Sequence, residues 1–281
     1  DWILYLDADE RLTAESVEEI KNIIQGNEKL GVKCNVLSRG SEGRNPSIME
    51  YIRFFRNSPG LYFKGKVHEQ IEESLLLNSY SIVSSNIEIL HLGYDLNTET
   101  LRKKAERNLA LLREQFKLNK KDAYTAFQIG QSLIMLNRRE EAHEYFLISI
   151  RDPEFEIHHR AQAFRFLAAI HMELNDILNA KEFAENGLAL YEYSPVLNLV
   201  MSNIYIKLGE YEEAAGYCRK AYTYNLELAE GRRKSYFDII LNEAEIYQHS
   251  LNSAILCKNK DLLDFFLLQK SAHELSSKQL E

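Results

Sequence analysis

The sequence predicts an α/β part with a mixed sheet followed by an all-α helical repeat, so that the chain is mainly helical overall. The first 95 residues alternate short apolar runs with Gly, Asn, Ser and Pro, which is typical of strands and turns. From Leu101 onward the apolar residues recur with helical period, and Gly and Pro become rare. Residues 1–121 carry 18 basic and 18 acidic side chains, so the whole net charge of −8 belongs to residues 122–281. These changes predict an α/β segment over 1–95, a connecting helix over 96–122 and helical repeats over 123–281.

The first segment contains five predicted elements. Trp2–Leu6 is an apolar run that ends in Asp-Ala-Asp, as a buried strand that leads into a turn does. A helix is predicted over 13–24, because its apolar residues fall on one stripe and Thr13 can cap its first turn. Further strands are predicted over 32–37, 50–55 and 81–90.

Three turn-plus-helix stretches repeat in the second part of the chain. Each contains an alanine, and the three alanines are 38 and 34 residues apart. A small residue stands twelve positions before each alanine, where it lets the two helices of a hairpin approach closely. These pairs are Gly130 and Ala142, Ala168 and Ala180, and Ser202 and Ala214. The pattern resembles the tetratricopeptide repeat, a helix–turn–helix unit of about 34 residues that stacks into a solenoid.

Composition excludes several classes of protein. The three cysteines are odd in number and far apart, which argues against a disulfide framework and favours a reducing, cytoplasmic compartment. No apolar stretch approaches the length of a membrane span, although peripheral attachment to a membrane stays open. The acidic second part argues against nucleic acid as a partner.

A cluster of carboxylates stands at the start of the chain, in the stretch YLDADE. Asp7, Asp9 and Glu10 follow an apolar run directly. Ionised carboxylates repel one another, so clustering them costs free energy unless a cation or hydrogen-bond donors offset it. The stretch therefore predicts either a strand-to-helix turn with a capping acid or a metal site.

Three stretches downstream favour the metal site. The segments RFFRN, FKGKVHEQI and HLGY follow in order from Arg53, Phe63 and His91. Together with Asp7-Ala8-Asp9 they resemble bacterial family 2 glycosyltransferases of the inverting GT-A class, and in particular the bacteriocin peptide glycosyltransferases in which a helical-repeat tail follows the catalytic domain. The resemblance covers roughly residues 1–151. It implies that residues 1–95 are the carboxyl-terminal portion of a GT-A domain.

The resemblance also implies a chemistry: transfer of a sugar from a nucleotide-sugar donor to a peptide, glycan or lipid-linked acceptor. A divalent cation, Mn²⁺ or Mg²⁺, would bridge the donor diphosphate. The resemblance implies that Asp9 and His91 contact the metal, and that Asp7 contacts either the metal or the nucleotide ribose. It implies that Glu69 is the catalytic base, with His68 beside it. The cations that it implies for neutralising phosphate charge are Arg53, Arg56, Lys64 and Lys66.

Two expectations concern the extent of the site. In the family pattern the Asp-x-Asp motif closes the nucleotide-binding half, so we expect the units that hold the base and ribose to precede residue 1, and the chain alone to be inactive. The competing hypothesis is a non-catalytic interaction module, in which the repeats bind an extended peptide or form a homodimer. The predicted groove residues are Asn198, Asn203 and Tyr205.

Overall fold

The computed structural model describes residues 1–26, 28–38, 47–65, 67, 69–92, 98–230, 232–233 and 237–268. The chain forms two compact units: the first comprises Asp1–Asp152 and a short later segment that ends at Asp238, and the second comprises the rest of the chain from Pro153. The predicted segment boundaries at residues 95 and 122 stay predictions. None of the described helices is both long enough and apolar enough to cross a membrane.

The first unit contains a mixed sheet. Its strands and its two short helices are β1 (Trp2–Leu4), β2 (Glu10–Leu12), α1 (Ser16–Ile24), β3 (Leu30–Ser38), β4 (Ser47–Arg56), α2 (Glu72–Leu77) and β5 (Ser81–His91). The strand order is β1-β4-β3-β5-β2, and the short β6 (Phe237–Ile239) also pairs with β4. β3 and β5 are parallel, whereas the β1–β4, β3–β4 and β2–β5 pairs are antiparallel.

The sheet is apolar on both faces, as the β-branched and aromatic residues of its strands predict. On one face α1 packs on a cluster that includes Val32, Phe54 and Ile87. On the other face the residues around α2 pack on Ile52 and Phe55. The sequence prediction of three long strands and one helix is thus confirmed, with the helix starting later than expected. Thr13 does not cap it, because its hydroxyl bonds the Ser16 hydroxyl at 2.7 Å instead.

Three helices follow the sheet in the first unit: α3 (Thr98–Leu118), α4 (Ala123–Met135) and α5 (Arg139–Ile150). Asp122 caps α4 by accepting from the backbone N–H of Thr125 at 2.9 Å. Gly130 of α4 faces the ring of Phe146 on α5 so closely that a methyl group at Gly130 would lie 2.6 Å from Phe146 Cε1. This close approach is the helical hairpin that the first small-residue pair predicts.

The second unit is helical. Its helices are α6 (Ile157–Glu173), α7 (Ile177–Leu190), α8 (Pro195–Leu208), α9 (Tyr211–Ala229) and α10 (Glu243–Leu256), followed by a helical stretch over 260–268. The repeat residues Ala168, Ala180, Ser202 and Ala214 are fully buried. The hydroxyl of Ser202 donates to the carbonyl of Ala214 at 2.9 Å, which ties α8 to α9. The helical repeat predicted from residue spacing is therefore present in this unit.

Candidate functional site

The DADE turn, residues 7–10, joins the two edge strands of the sheet. On the β1 side, the backbone N–H of Tyr5 donates to the carbonyl of Arg53 on β4 at 3.0 Å. On the other side, β2 begins at Glu10. The backbone N–H of Glu10 donates to the carbonyl of Asp7 at 3.0 Å and closes the turn. β1 and β2 lie at opposite ends of the strand order, so the turn is held from both edges.

Asp9 and His91 meet at the β2 edge. His91 Nε2 lies 3.2 Å from Asp9 Oδ2, and His91 Nδ1 lies 3.2 Å from the hydroxyl of Ser38. The backbone N–H of Leu92 donates to the carbonyl of Asp9 at 2.8 Å, next to the Glu10–His91 register pair of β2 and β5. The Asp9 and His91 side chains are 26% and 35% exposed, so both are accessible to a ligand. The structure thus brings together two of the three predicted metal ligands.

Asp7 is held by a different set of contacts. Arg53 Nη2 lies 3.3 Å from Asp7 Oδ2 and 2.7 Å from Glu10 Oε1, while the backbone N–H of Asp7 donates to Glu10 Oε2 at 2.9 Å. The Glu10 side chain is only 1% exposed and Arg53 only 11%, whereas Asp7 is 64% exposed. Glu10 is thus the buried carboxylate of the turn, and it holds the backbone from which Asp7 points outward.

Tyrosine rings surround the Arg53 guanidinium, which lies 4.7 Å from the ring centre of Tyr5 and 5.8 Å from that of Tyr51. Burial alone would lower the pKa of Arg53, but Tyr5, Glu10 and Asp7 raise it above its ordinary value. For the Tyr5 hydroxyl, which donates to the carbonyl of Ile52 at 2.8 Å, burial acts in the opposite direction and raises the pKa. Arg53 is therefore a permanent cation beneath the turn.

The predicted base, Glu69, lies on an exposed turn between Lys64 and Gln70. The backbone groups of Lys64 and Gln70 bond each other at 2.8 and 2.9 Å and close this turn. Phe63, just before it, packs on Tyr5 with ring centres 5.1 Å apart. The turn that carries Glu69 is thus attached to the residues beneath the DADE turn. His68 and Lys66 lie outside the described residues.

Arg56 and Lys64 are placed away from the carboxylates of the DADE turn. Arg56 pairs with Trp2 at the far end of β1, and its guanidinium donates to the carbonyl of Gly26 at 3.1 Å. Lys64 forms an exposed ion pair with Glu73. Of the three predicted phosphate-binding cations that the structure describes, Arg53 is the one that contacts the turn.

The three predicted groove residues occupy different environments on α8. The amide of Asn198 is buried and donates to the carbonyls of Glu192 and Ser194 at 2.9 and 2.8 Å, which is a structural role. Tyr205 is buried and stacks on Tyr217, with Lys181 Nζ 4.7 Å from the Tyr205 ring centre. Asn203 is half-buried. Asn203 is thus the member of the set whose side chain is partly open to solvent.

In the part of the chain that the structure describes, no group of three or more His, Cys, Asp and Glu side chains is placed to hold a metal ion. Asp9 and His91 supply one carboxylate and one imidazole, a donor set that suits a divalent transition metal such as Mn²⁺. A cation bound by these two residues would complete its shell with oxygen atoms from a ligand and from water.

Sequence comparison relates the chain to a glycosyltransferase. It is 29% identical over 155 residues to the SPbeta prophage-derived glycosyltransferase SunS of Bacillus subtilis strain 168, a match that covers 54% of this chain and 36% of that protein. The chain is a distant homologue of SunS. No family model matches it.

The chain is also similar to repeat proteins. It is 26% identical over 183 residues to a TPR repeat-containing protein of Synechococcus elongatus, which covers 63% of this chain and 45% of that protein. The chain thus spans less than half the length of either relative. Among solved structures, MamA matches 67% of this chain at 13% identity and a TM-score of 0.47, and Pseudomonas aeruginosa PilF matches 61% at 21% identity and a TM-score of 0.46.

Sequence reasoning missed the part that Glu10 and the tyrosines play. Tyr124 on α4 bonds Gln70, and burial raises the pKa of its hydroxyl to about 12. The first repeat helix therefore contributes a buried hydroxyl beside the Glu69 turn. The only signal in the sequence was the density of aromatic residues in the stretches around Tyr5, Tyr51 and Phe63.

Proposed function

We propose that the chain is part of a metal-dependent inverting glycosyltransferase that moves a sugar from a nucleotide-sugar donor to a peptide, glycan or lipid-linked acceptor. The observation that carries the proposal is the similarity to SunS over 155 residues. The convergence of Asp9 and His91 is consistent with it, because the GT-A resemblance implies that both residues contact one cation. The helical repeats would bind the acceptor or form a dimer.

Asp9 and His91 are the residues that would hold the cation in this proposal. A divalent cation supplies positive charge to a departing nucleoside diphosphate as negative charge develops on it. Asp7, 64% exposed, is free to contact the donor ribose or the cation. Arg53 and Glu10 would position the turn, because their ion pair at 2.7 Å ties its backbone to β4.

Glu69 is the proposed base that takes the proton from the acceptor nucleophile. A general base must reach the attacking group, and Glu69 is exposed on a turn anchored through Phe63 to Tyr5. The test is a transfer assay on the chain produced together with any sequence that precedes it in the gene, with a UDP-sugar and a peptide acceptor. We expect Glu69→Gln to lose about a hundredfold or more in transfer while its affinity for the donor stays unchanged.

The matched control is Glu28→Gln, which changes an exposed carboxylate near α1 and should retain wild-type transfer. Wild-type transfer by Glu69→Gln would remove Glu69 as the base. Failure of the unmodified protein to transfer from any nucleotide-sugar would remove the proposed function itself.

One observation favours the second candidate, a peptide-binding module. Arg165 on α6 packs over the Phe166 ring at 4.1 Å, and within the described residues no carboxylate forms an ion pair with it. α6 packs against α8, where the corresponding repeat position is Leu199, which packs on the cluster around Tyr222, and where Asn203 follows one turn later. Arg165 and Asn203 would accept an acidic peptide in the helical unit.

The test of this candidate is binding of an extended acidic peptide library, measured by fluorescence anisotropy. Arg165→Gln should lower the affinity for a peptide selected from the library about tenfold, since a charge-assisted hydrogen bond is lost. Arg219→Gln, a cation on α9 that lies over Phe265, is the control. Equal binding by both variants would contradict a role for this face.

A further inference from the structure

A cleft of about 440 Å³ lies against α3 in the first unit, next to the turn between α4 and α5. Its walls include three arginines, Arg102, Arg113 and Arg138. Its floor is apolar and is formed by Leu109, Ala110 and Leu136. The volume falls in the range of small-molecule sites, which are about 300–1,000 Å³. None of these residues belongs to the DADE turn or to the Glu69 turn.

Two carboxylates, Glu106 in the wall of the cleft and Glu141 beside it, leave the guanidinium groups with unused donors. Glu141 accepts from Arg138 Nε and Nη2 at 2.6 and 2.7 Å and from Arg113 Nη2 at 2.8 Å. One carboxylate thus serves two cations. Arg102 pairs with Glu106 at 3.2 Å, but both side chains are more than half exposed, so solvent weakens this pair. Three guanidinium groups and two carboxylates leave one net positive charge at the cleft.

Arg113 also carries an unsatisfied donor. Its Nε is buried from solvent, and it has no hydrogen-bond partner among the described residues. A ligand in the cleft cannot reach this buried atom. A bound anion would instead face the accessible part of the Arg113 side chain, which is 35% exposed, and would neutralise the remaining charge of the cleft.

The apolar floor of the cleft indicates the chemistry of the part of the ligand that lies beyond its anionic group. Leu136 is half-buried, so an aliphatic group packed on it would remove apolar surface from water, whereas Leu109 is already buried and only closes the floor beneath that group. We propose that the cleft binds a small aliphatic monocarboxylate, whose acid group accepts from Arg113 and Arg102 and whose carbon chain lies on Leu109 and Leu136. A carboxylate matches the planar fork of a guanidinium, and one negative charge balances the cleft.

The experiment titrates the chain with hexanoate and follows the backbone amide resonances of Ala110 and Leu136 by NMR. We expect saturable shifts with hexanoate, much weaker ones with hexanol or acetate, and none that saturate with inorganic phosphate at the same concentrations. Hexanol lacks the charge and acetate lacks the chain, so each probe removes one half of the proposed recognition.

Two variants test the arginines against a matched control. Arg113→Gln and Arg102→Gln should each lower the affinity for hexanoate about tenfold, since a charge-assisted hydrogen bond is lost. Lys117→Gln, an exposed cation on the same helix outside the cleft, should bind as the wild type does. Arg102 is exposed, so its variant keeps the test valid if Arg113→Gln unfolds.

Three outcomes would overturn the proposal. The first is the absence of saturable hexanoate shifts in the wild-type chain. The second is equal binding of hexanol or of phosphate, which would show that one of the two halves contributes nothing. The third is an equal loss of hexanoate affinity in Lys117→Gln, which would show that the overall charge of α3, and not the cleft, determines the binding.

Discussion

Glu10 differs from its neighbours in the DADE turn because its carboxylate is buried, whereas those of Asp7 and Asp9 are accessible. Its partner Arg53 lies 2.7 Å away and has tyrosine rings around it. Removing one member of a buried ion pair leaves the other charge buried and poorly compensated, which typically costs about 3–5 kcal/mol. At the residue scale, the stability of the turn therefore depends on Glu10.

We expect Glu10→Gln to lower the free energy of unfolding by about 3 kcal/mol, near the lower end of that range because Asp7 still faces Arg53. Urea denaturation followed by circular dichroism measures the change. The control is Glu18→Gln, whose side chain is 74% exposed and pairs only with Lys21, and which should change stability by about 0.5 kcal/mol or less. Equal losses in the two variants would contradict the account of the turn.

The sequence predicted a site at Asp7 and Asp9 but not the contacts that hold it. Glu10 and Arg53 are 43 residues apart, and only the pairing of β1 with β4 brings them together. The resemblance implies that Arg53 contacts phosphate, whereas the structure pairs it with Glu10 and Asp7. Sequence alone cannot show which carboxylate a cation will face. His91 is a predicted metal ligand through the resemblance alone, and the structure places it at the end of β5, 3.2 Å from Asp9.

At the element scale, the small residues of the repeats set how closely the helices pack. A methyl group at Gly130 would lie 2.6–2.8 Å from three ring atoms of Phe146, whose side chain is fully buried and cannot swing away. We expect Gly130→Ala to destabilise the first unit by about 1–3 kcal/mol, as overpacking of a core does. Thermal unfolding measures it.

Gly216 on α9 provides the opposite case for the same substitution. No atom lies within 4 Å of a methyl group placed there, and the residue is exposed in a helix. Gly216→Ala should therefore stabilise the chain by about 0.5–1 kcal/mol through helix propensity. A destabilisation of similar size in both variants would show that helix packing is not the cause at Gly130.

The start of α6 gives a prediction for pH. Glu156 accepts from the backbone N–H groups of His158 and His159 at 3.1 and 2.9 Å, and His159 Nδ1 lies 2.9 Å from its carboxylate. Burial would raise the pKa of Glu156, but His159 and the two backbone donors lower it to about 2. A lowered pKa means that the stabilisation is present above the ordinary value of 4.5 and is lost as the pH falls towards 2.

Glu156→Gln tests this cap. We expect the variant to be less stable than the wild type by about 1 kcal/mol at neutral pH, and the two to converge as the pH falls through the range from about 4.5 to about 2. Urea midpoints measured along a pH series give the comparison. Parallel pH profiles over that range would contradict the capping role of the ionised carboxylate.

The repeat spacing predicted the hairpins but not where the four extra residues of the first interval would go. The structure places them at the start of α6, which has 11 residues before Ala168 where α8 has 7 before Ser202. The loop before α6 is two residues longer than the one before α8, but α5 ends two residues sooner after its repeat alanine than α7 does. Buried alanines and serines constrain the hairpin contacts, whereas loop length is weakly constrained energetically. Spacing therefore predicts the packed residues better than the connections.

At the scale of the whole molecule, we propose that the DADE turn belongs to a sugar-transferring enzyme. The sequence predicted both architectures, the sheet and the helical repeat, because periods of 2 and 3.6 are local properties. It did not predict that β1 and β2 would be opposite edges of one sheet, since strand order depends on contacts between distant segments. Because β1 and β2 are the two edge strands, the short turn that joins them holds Asp7, Asp9 and Glu10 between the two edges of the sheet.

The most direct test of the proposed enzyme is Mn²⁺-dependent transfer or hydrolysis of a UDP-sugar by the chain together with any sequence that precedes it in the gene. We expect activity that chelation abolishes. Asp9→Ala and His91→Ala should each lower it by more than about tenfold, excess Mn²⁺ should restore it, and Glu28→Gln should leave it unchanged. Wild-type activity in Asp9→Ala, or activity indifferent to chelation, would contradict it.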